Sequence, residues 1–245
     1  MTEHVNLSVI GKVDSPYKEK FAIPRQPGLV TAAKGQLRLT GSANHADAVR
    51  GLAQFSHLWL LFIFHGTQAQ GWQPLVRPPR LGGNKKLGVF ATRSTFRPSP
   101  IGMSVVKLDD IELRPCADQH SQVILHISEL DLLDGTPVVD IKPYVPYADM
   151  ITTAKAGFAQ KPPLQTLNVL YSHKAQLTLT RMQADYPQLQ TLITEVLSQD
   201  PRPAYKQQKL DDKRYGMRLY DVNISFQLTD MATVTVLAIE QENRQ

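Results

Sequence analysis

One cysteine, Cys116, occurs in the whole chain of 245 residues. A lone thiol excludes an internal disulfide and any zinc site built from several thiolates, so the sequence predicts no metal centre. Cys116 follows "LRP" in a polar connection and has no evident base beside it in the sequence. We therefore do not expect this thiol to act as a nucleophile.

Long hydrophobic runs are also absent. The longest, "LWLLFIF" at 58–64, has seven residues, whereas a membrane-spanning helix needs about 20. The segment "MTEHVNLSVIGK" has neither a basic start nor a continuous apolar stretch followed by small residues, so it does not resemble a secretory signal. These absences predict a cytoplasmic protein that does not cross a membrane.

Acidic side chains are missing from one long stretch. No Asp or Glu occurs in residues 48–108, although the chain holds 22 acidic residues and has a net charge of +5. The basic residues of this stretch are Arg50, Arg77, Arg80, Lys85, Lys86, Arg93, Arg97 and Lys107. Two interpretations remain open: a solvated basic face, or a surface that binds phosphates and so relieves the repulsion among these charges.

The motifs of several common enzyme classes are absent as well. The chain has no G-x-G-x-x-G and no G-x-x-x-x-G-K-[ST], and "LGGNKK" at 81–86 resembles the second only in composition. It also lacks G-x-S-x-G and H-E-x-x-H. Dinucleotide-binding enzymes, P-loop enzymes and the hydrolases most easily recognised from sequence are therefore disfavoured.

What is present is a series of short apolar segments separated by turn residues, which predicts strands. The predicted strands are 5–13, 35–41, 57–65, 86–92, 102–113, 121–130 and 137–145. Segment 57–65 is apolar without alternation, so we expect it to be buried on both faces. Between them, "NHADAVRGLAQF" at 44–55 has the spacing of a two-turn helix with Asn44 as N-cap. This pattern predicts a mainly β fold, a barrel or a sandwich, rather than a parallel α/β sheet.

The sequence predicts that the carboxy-terminal third forms a separate unit. Small residues and prolines at 151–163 are typical of a linker. Beyond it, 186–200 has apolar residues at helical spacing, and 219–229 and 232–240 form strands joined by a short turn. The sequence thus predicts a barrel domain at 1–155 and a small α+β domain at 164–245.

Four stiff polar connections remain as candidates for chemistry: "PRQPG" at 24–28, "FHGTQ" at 64–68, "TRSTFRPSPIG" at 92–102 and "ELDLLDGTP" at 129–137. In a small barrel such connections gather at the rim, where distant side chains converge. The prolines around Ser99 fix the direction of Arg97, either to hold a ligand or to cap nearby carbonyls. Asp131 and Asp134 would point to opposite sides, so they do not form an acid pair.

These connections carry a resemblance to a known family. "GVFATRSTFRPSPIGMS", with "PRQPGLV", "FSHLWLLFIFH" and "LDLLDGTPVVDIKPYVPYAD", closely resembles the TsaA-like family of S-adenosylmethionine-dependent tRNA methyltransferases. "QDPRPAY" at 199–205 resembles its bacterial members, which methylate N6 of threonylcarbamoyladenosine beside the anticodon. The sequence departs from the family at Ser99, where Asn is usual between the two prolines.

The resemblance implies a non-Rossmann, antiparallel β-barrel with its S-adenosylmethionine site near a homodimer interface. It also implies which residues meet the cofactor: Gln26, Pro27, Gly28, His65, Gly66, Arg93, Met103, Asp131, Leu132, Leu133, Asp134, Gly135 and Thr136. His65 or Asp134 would help to remove the proton of the acceptor nitrogen. His65 also ends an apolar strand, so a histidine of the core is an equally good interpretation.

The same resemblance implies a tRNA anticodon loop as partner. We expect its phosphates and carboxylate to be met by Arg77, Arg80, Lys85, Lys86, Arg97, Arg202 and Tyr205. Trp72 and Tyr205 are either platforms for unpaired bases or core residues. Two other functions remain open: a non-catalytic RNA-binding barrel, and a hydrolase that uses Asp131 and His65 without a cofactor.

Overall fold

The computed structural model describes residues 5–82, 84–116, 121–161, 167–203, 206 and 209–242. The first part of the chain forms β1 (Gly11–Asp14), β2 (Lys34–Leu39), β3 (His57–Ile63), β4 (Leu75–Val76), β5 (Leu87–Gly88), β6 (Ile101–Pro115), β7 (Ser121–Ser128), β8 (Pro137–Pro143) and α1 (Pro146–Asp149). The second part forms β9 (Asn168–Tyr171), α2 (His173–Met182), α3 (Leu189–Ser198), β10 (Tyr215–Leu219), β11 (Val222–Leu228) and β12 (Thr233–Gln241).

A closed antiparallel barrel dominates the first part, with strands in the order β1, β2, β7, β6, β3 and β8. This confirms the predicted mainly β fold and selects the barrel over the sandwich. The expectation that 57–65 is buried on both faces is wrong. Leu58, Leu60 and Phe62 are buried inside the barrel, while the alternate residues of β3 remain half-buried on its outside, as the two-residue period of a strand requires.

Two further local predictions are corrected by the structure. Segment 44–55 forms short 3₁₀ turns, Ala46–Val49 and Leu52–Gln54, instead of one helix. Gly51 interrupts them because its backbone adopts a positive φ of 83°. Asn44 is not an N-cap, since its side-chain oxygen accepts a hydrogen bond from the Val123 amide at 2.7 Å.

Strand boundaries differ in two places. The strand predicted at 5–13 is shorter in the structure, where regular pairing with neighbouring strands begins only at Gly11. The predicted strand 86–92 is reduced to β5, which pairs with β4 and is followed by a 3₁₀ turn at Val89–Ala91. The long strands β6, β7 and β8 match their predictions, because alternation and turn residues mark them clearly.

The second part is an antiparallel sheet, β10-β11-β12, with β9 added in parallel beside β12 and with α2 and α3 packed near it. The helix predicted within 186–200 and the paired strands after it are confirmed, whereas β9, α2 and β10 were not predicted. Ser172 caps α2 by accepting a hydrogen bond from the Ala175 amide at 3.1 Å.

One hydrophobic core runs through both parts of the chain. Tyr17, just after β1, forms an isolated antiparallel bridge with Leu219 of β10. The rings of Phe21 and Phe226 stack with their centroids 6.5 Å apart. The Glu195 carboxylate of α3 accepts hydrogen bonds from the Thr31 hydroxyl and the Ala32 amide. The carboxy-terminal part is therefore packed onto one end of the barrel. Within the described ranges, no helix is both long and apolar enough to cross a bilayer.

Candidate functional site

A cavity of about 370 Å³ opens at the end of the barrel that faces the carboxy-terminal part. Its walls come from the segments that follow β1 and β3 and precede β8, from residues beside and within the start of β6, and from the end of α3. All four stiff connections singled out in the sequence contribute residues to this cavity. They meet here because neighbouring antiparallel strands begin and end at the same rim of a barrel.

Nine of the residues that the resemblance assigned to the cofactor line this cavity: Gln26, His65, Gly66, Arg93, Met103, Asp131, Leu132, Leu133 and Thr136. Pro27, Gly28, Asp134 and Gly135 lie outside its lining. Gly28 holds the loop instead, because its amide donates to the Glu129 carbonyl at 2.9 Å and its φ is 75°.

Within the part of the chain that the structure describes, Asp131 is one of the two carboxylates that line this cavity. The Ser104 hydroxyl, itself buried, donates a hydrogen bond to Asp131 Oδ1 at 2.6 Å. Burial raises the pKa of Asp131 to about 6, against the opposing effects of the Ser104 hydrogen bond and the Arg93 charge. The site therefore contains a carboxyl group that changes its charge close to neutral pH.

Asp134 has a structural position. Its carboxylate accepts a hydrogen bond from the Ser15 amide at 2.9 Å and forms an ion pair with the Lys18 ammonium at 2.7 Å. These contacts connect the segment that precedes β8 to the segment that follows β1. Asp131 lines the cavity, whereas Asp134 does not. We therefore do not carry Asp134 forward as a candidate base or cofactor ligand.

The cavity mouth is lined by cations and by one glycine that permits close approach. Arg93 donates to Gln26 Oε1 at 2.7 Å, and the Lys20 ammonium donates to the Gly66 carbonyl at 2.6 Å. A Cβ at Gly66 would lie 3.1 Å from Lys20 Cε and 3.4 Å from Leu133 Cδ2. His65 beside it is exposed, so the interpretation as a core histidine is wrong.

The carboxy-terminal part supplies a wall that the sequence did not predict, formed by Val196, Gln199, Asp200 and Pro201. Asp200 has a positive φ of 46° and receives two hydrogen bonds of 2.8 Å from the Arg202 guanidinium. Arg202 is 1% exposed. It holds this wall and does not face solvent, so the expected RNA contact by Arg202 is not carried forward. In the sequence, only the stiff segment "DPRP" at 200–203, directly after a predicted helix, indicated that this part of the chain forms a rigid loop.

Five of the predicted RNA-binding residues do not line the cavity: Arg77, Arg80, Lys85, Lys86 and Arg97. Arg77, Arg80, Lys85 and Lys86 are exposed on the long connection between β3 and β6. Arg97 caps carbonyls, as one of the two interpretations held, since its Nη1 donates to the Thr92 carbonyl at 2.8 Å. Trp72 is 54% exposed and not a core residue, and Tyr205 lies outside the described residues.

The residues of the cavity fit S-adenosylmethionine. The volume lies in the range of about 300–1,000 Å³ that small-molecule sites occupy. Phe62, Phe64 and Ile23 offer apolar surface for a flat ring, Asp131 offers negative charge for a cation, and Arg93 offers a guanidinium for a carboxylate. Among the described residues, no group of three His, Cys, Asp or Glu side chains is placed to hold a metal ion.

Fold and site together define a barrel protein that binds a small molecule at its rim, outside any Rossmann framework. Two family models match it: the tRNA-methyltransferase O N-terminal domain at residues 12–150 and the TrmO C-terminal domain at 164–242. The chain belongs to the tRNA-methyltransferase O family, which confirms the resemblance seen in the sequence.

Relatives extend over nearly the whole chain. It is 52% identical over 231 residues to the tRNA (adenine(37)-N6)-methyltransferase of Escherichia coli (strain K12), covering 94% of this chain and 96% of that protein. It is 45% identical over 188 residues to the enzyme of the same name from Eikenella corrodens, covering 76% and 99%. A crystal structure of TrmO from Pseudomonas aeruginosa superposes with a TM-score of 0.80 at 38% identity, covering 97% of this chain and 99% of that one.

Proposed function

We propose that this protein transfers a methyl group from S-adenosylmethionine to N6 of adenosine 37 in tRNA, with threonylcarbamoyladenosine as the acceptor. The observation that carries the proposal is the cavity, which is lined by nine of the residues that the family resemblance assigned to the cofactor. The same chain carries the acid-free basic segment at residues 48–108, which suits a nucleic-acid substrate. The name of the relative that is 52% identical supports the same activity.

In this proposal Gln26, Gly66 and Arg93 hold the cofactor. S-adenosylmethionine supplies an activated methyl group on a positively charged sulfur. The protein's own contribution is alignment and exclusion of water, which together account for much of the rate of such a displacement. The stiff loops and the packed Phe62 and Leu132 provide that rigidity.

The exposed cations on the β3–β6 connection would meet the anticodon-loop phosphates, and Trp72 would stack on an unpaired base. Arg97 supports this surface indirectly, because it fixes the turn that follows β5 and lies over the Phe90 ring at 5.5 Å. The cofactor site and the RNA surface would then share one loop system.

Removing two of these charges, as in R77A/R80A, is expected to weaken tRNA binding and to leave cofactor binding unchanged, since neither residue lines the cavity. Loss of two phosphate contacts lowers the slope of log affinity against log salt by about 1.5. Fluorescence anisotropy with labelled tRNA at several salt concentrations measures this slope. The matched control is K174A/R181A, which removes two exposed charges from α2; equal slopes for both variants would contradict the assignment.

We also propose a homodimer and the division into domains at 1–155 and 164–245. Large apolar side chains just after the barrel strands are exposed, among them Tyr147 (93%) and Ile151 (68%), which is the kind of surface that a second copy covers. We expect sedimentation equilibrium to give a molar mass of twice the 27.4 kDa of one chain. The mass of a single chain would contradict the dimer.

The proposed activity is tested with S-adenosylmethionine labelled on its methyl group and tRNA with or without threonylcarbamoyl at adenosine 37. We expect labelled N6-methyl product only with the modified tRNA. Transfer to both tRNAs would correct the acceptor. Binding of tRNA without cofactor binding would favour the non-catalytic barrel, and cleavage of tRNA or nucleoside without cofactor would favour the hydrolase.

A further inference from the structure

Three of the described side chains that line the cavity could accept a proton during methyl transfer: Asp131, His65 and Asp200. Of these, Asp200 is already paired with the Arg202 guanidinium. Asp131 is half-buried on its floor, and its orientation is fixed by Ser104. His65 is exposed at the mouth, and its ring makes no hydrogen bond within the described residues. A proton acceptor works best where it is oriented and shielded from water. The geometry therefore favours Asp131 over His65 as the proton acceptor.

We propose that Asp131, held by Ser104, is the catalytic residue that accepts the N6 proton of the acceptor nucleoside. This rests on the proposed function. Asp131 takes the proton as the N6–carbon bond forms and the carbon–sulfur bond breaks with its electron pair passing to sulfur. A sulfonium cation and a carboxylate thereby become a neutral thioether and a carboxylic acid, so charge and atoms balance.

The surroundings of Asp131 suit this role. A carboxyl with its ordinary pKa would be a weak acceptor, whereas burial raises the pKa of Asp131 to about 6 and so strengthens it as a base while leaving it ionised above that pH. The charged groups that line the same cavity are Lys20, Arg25, His65, Arg93 and Asp200. Arg93 acts on Asp131 by lowering its pKa. Tyr17 is a buried neighbour, and the Asp131 charge adds to the burial that raises the pKa of Tyr17.

Ser104 is the positioning residue in this proposal. Its hydrogen bond stabilises the ionised carboxylate, so S104A is expected to raise the pKa of Asp131 and move the acid limb of the pH–rate profile to higher pH. A serine with only a packing role would leave that limb in place. The matched control is S128A, because buried Ser128 also lies on a barrel strand and donates to an aspartate, Asp109, at 3.0 Å outside the cavity.

The test compares wild type, D131N, S104A and the control S128A. D131N keeps the shape of the side chain and the acceptor for Ser104, so we expect its affinity for S-adenosylhomocysteine to stay within threefold of wild type. Methyl transfer to threonylcarbamoyl-tRNA should fall by about 100- to 1,000-fold. A more than tenfold loss of S-adenosylhomocysteine affinity, or unchanged turnover, would overturn the role of Asp131 as proton acceptor.

Two measurements do not depend on activity. Carbon-detected NMR should place the Asp131 titration near pH 6 in the wild type and higher in S104A. D131N should melt at a higher temperature than wild type at pH 8, where ionised Asp131 disfavours the folded state, and the difference should shrink at pH 5. Failure of wild type to methylate either tRNA would overturn the proposed function itself, whereas active wild type with equally active D131N would overturn only this inference.

Discussion

Replacing Arg202 with methionine is expected to lower the free energy of unfolding by about 3–5 kcal/mol. The Arg202 and Asp200 side chains are 1% and 7% exposed, and the guanidinium contacts both carboxylate oxygens at 2.8 Å. Methionine fills similar space but leaves the Asp200 carboxylate buried without its cation. The loss should also weaken cofactor binding, because Asp200 forms part of the cavity wall. Urea unfolding followed by tryptophan fluorescence measures the stability.

A matched surface pair provides the control for this prediction. Arg38 and Asp14 form an ion pair whose side chains are about half exposed, so R38M is expected to change the free energy of unfolding by at most about 1 kcal/mol. The double variant D200N/R202M should recover part of the stability, since the buried Asp200 charge is removed together with its Arg202 partner. Equal effects of R202M and R38M would show that the buried pair does not hold this wall.

Substituting Gly66 by valine is expected to weaken S-adenosylhomocysteine binding by about 10- to 100-fold, the equivalent of the 1–3 kcal/mol that overpacking a site costs. Even a Cβ at this position would lie 3.1 Å from Lys20 Cε and 3.4 Å from Leu133 Cδ2, two side chains that line the cavity, and valine adds two methyl groups to that Cβ. The fold should survive because Gly66 is exposed and lies outside the strands. Isothermal titration calorimetry measures the affinity.

The control is G88V. A Cβ at Gly88 would meet nothing within 4 Å, and its φ of −58° suits any residue. G88V should therefore bind S-adenosylhomocysteine as wild type does. If G66V also keeps wild-type affinity, the cofactor does not approach the Gly66 backbone, and the proposed binding mode is wrong at this point.

Much of the barrel could be predicted from the sequence, because its signals are local. Alternating apolar residues in β6 and β7 and the turn residues between them specify strands without reference to the rest of the chain. The error at 44–55 has a local cause as well. Its apolar spacing suits a helix, but Gly51 adopts a left-handed backbone that divides the segment into short turns.

The site was only partly predictable because it depends on contacts between distant segments. The sequence favoured His65 or Asp134 as the base, whereas the structure places Asp134 beside Ser15 and Lys18 and puts Asp131 on the cavity floor. Asp131 meets Ser104 only through pairing of the barrel strands. The stiff "DPRP" segment likewise indicates a rigid loop, but only the packing of the two parts of the chain brings Asp200 and Pro201 to the cavity wall.

The most direct test of the central claim is a crystal structure of this protein with S-adenosylhomocysteine. The account predicts the ligand in the cavity between the 24–28, 64–68 and 129–137 connections, with Gly66 at its edge and the Asp131 carboxylate on the side from which the acceptor nitrogen approaches. Ligand bound elsewhere on the chain, with this cavity filled by side chains, would contradict the assignment of the methyl-transfer site.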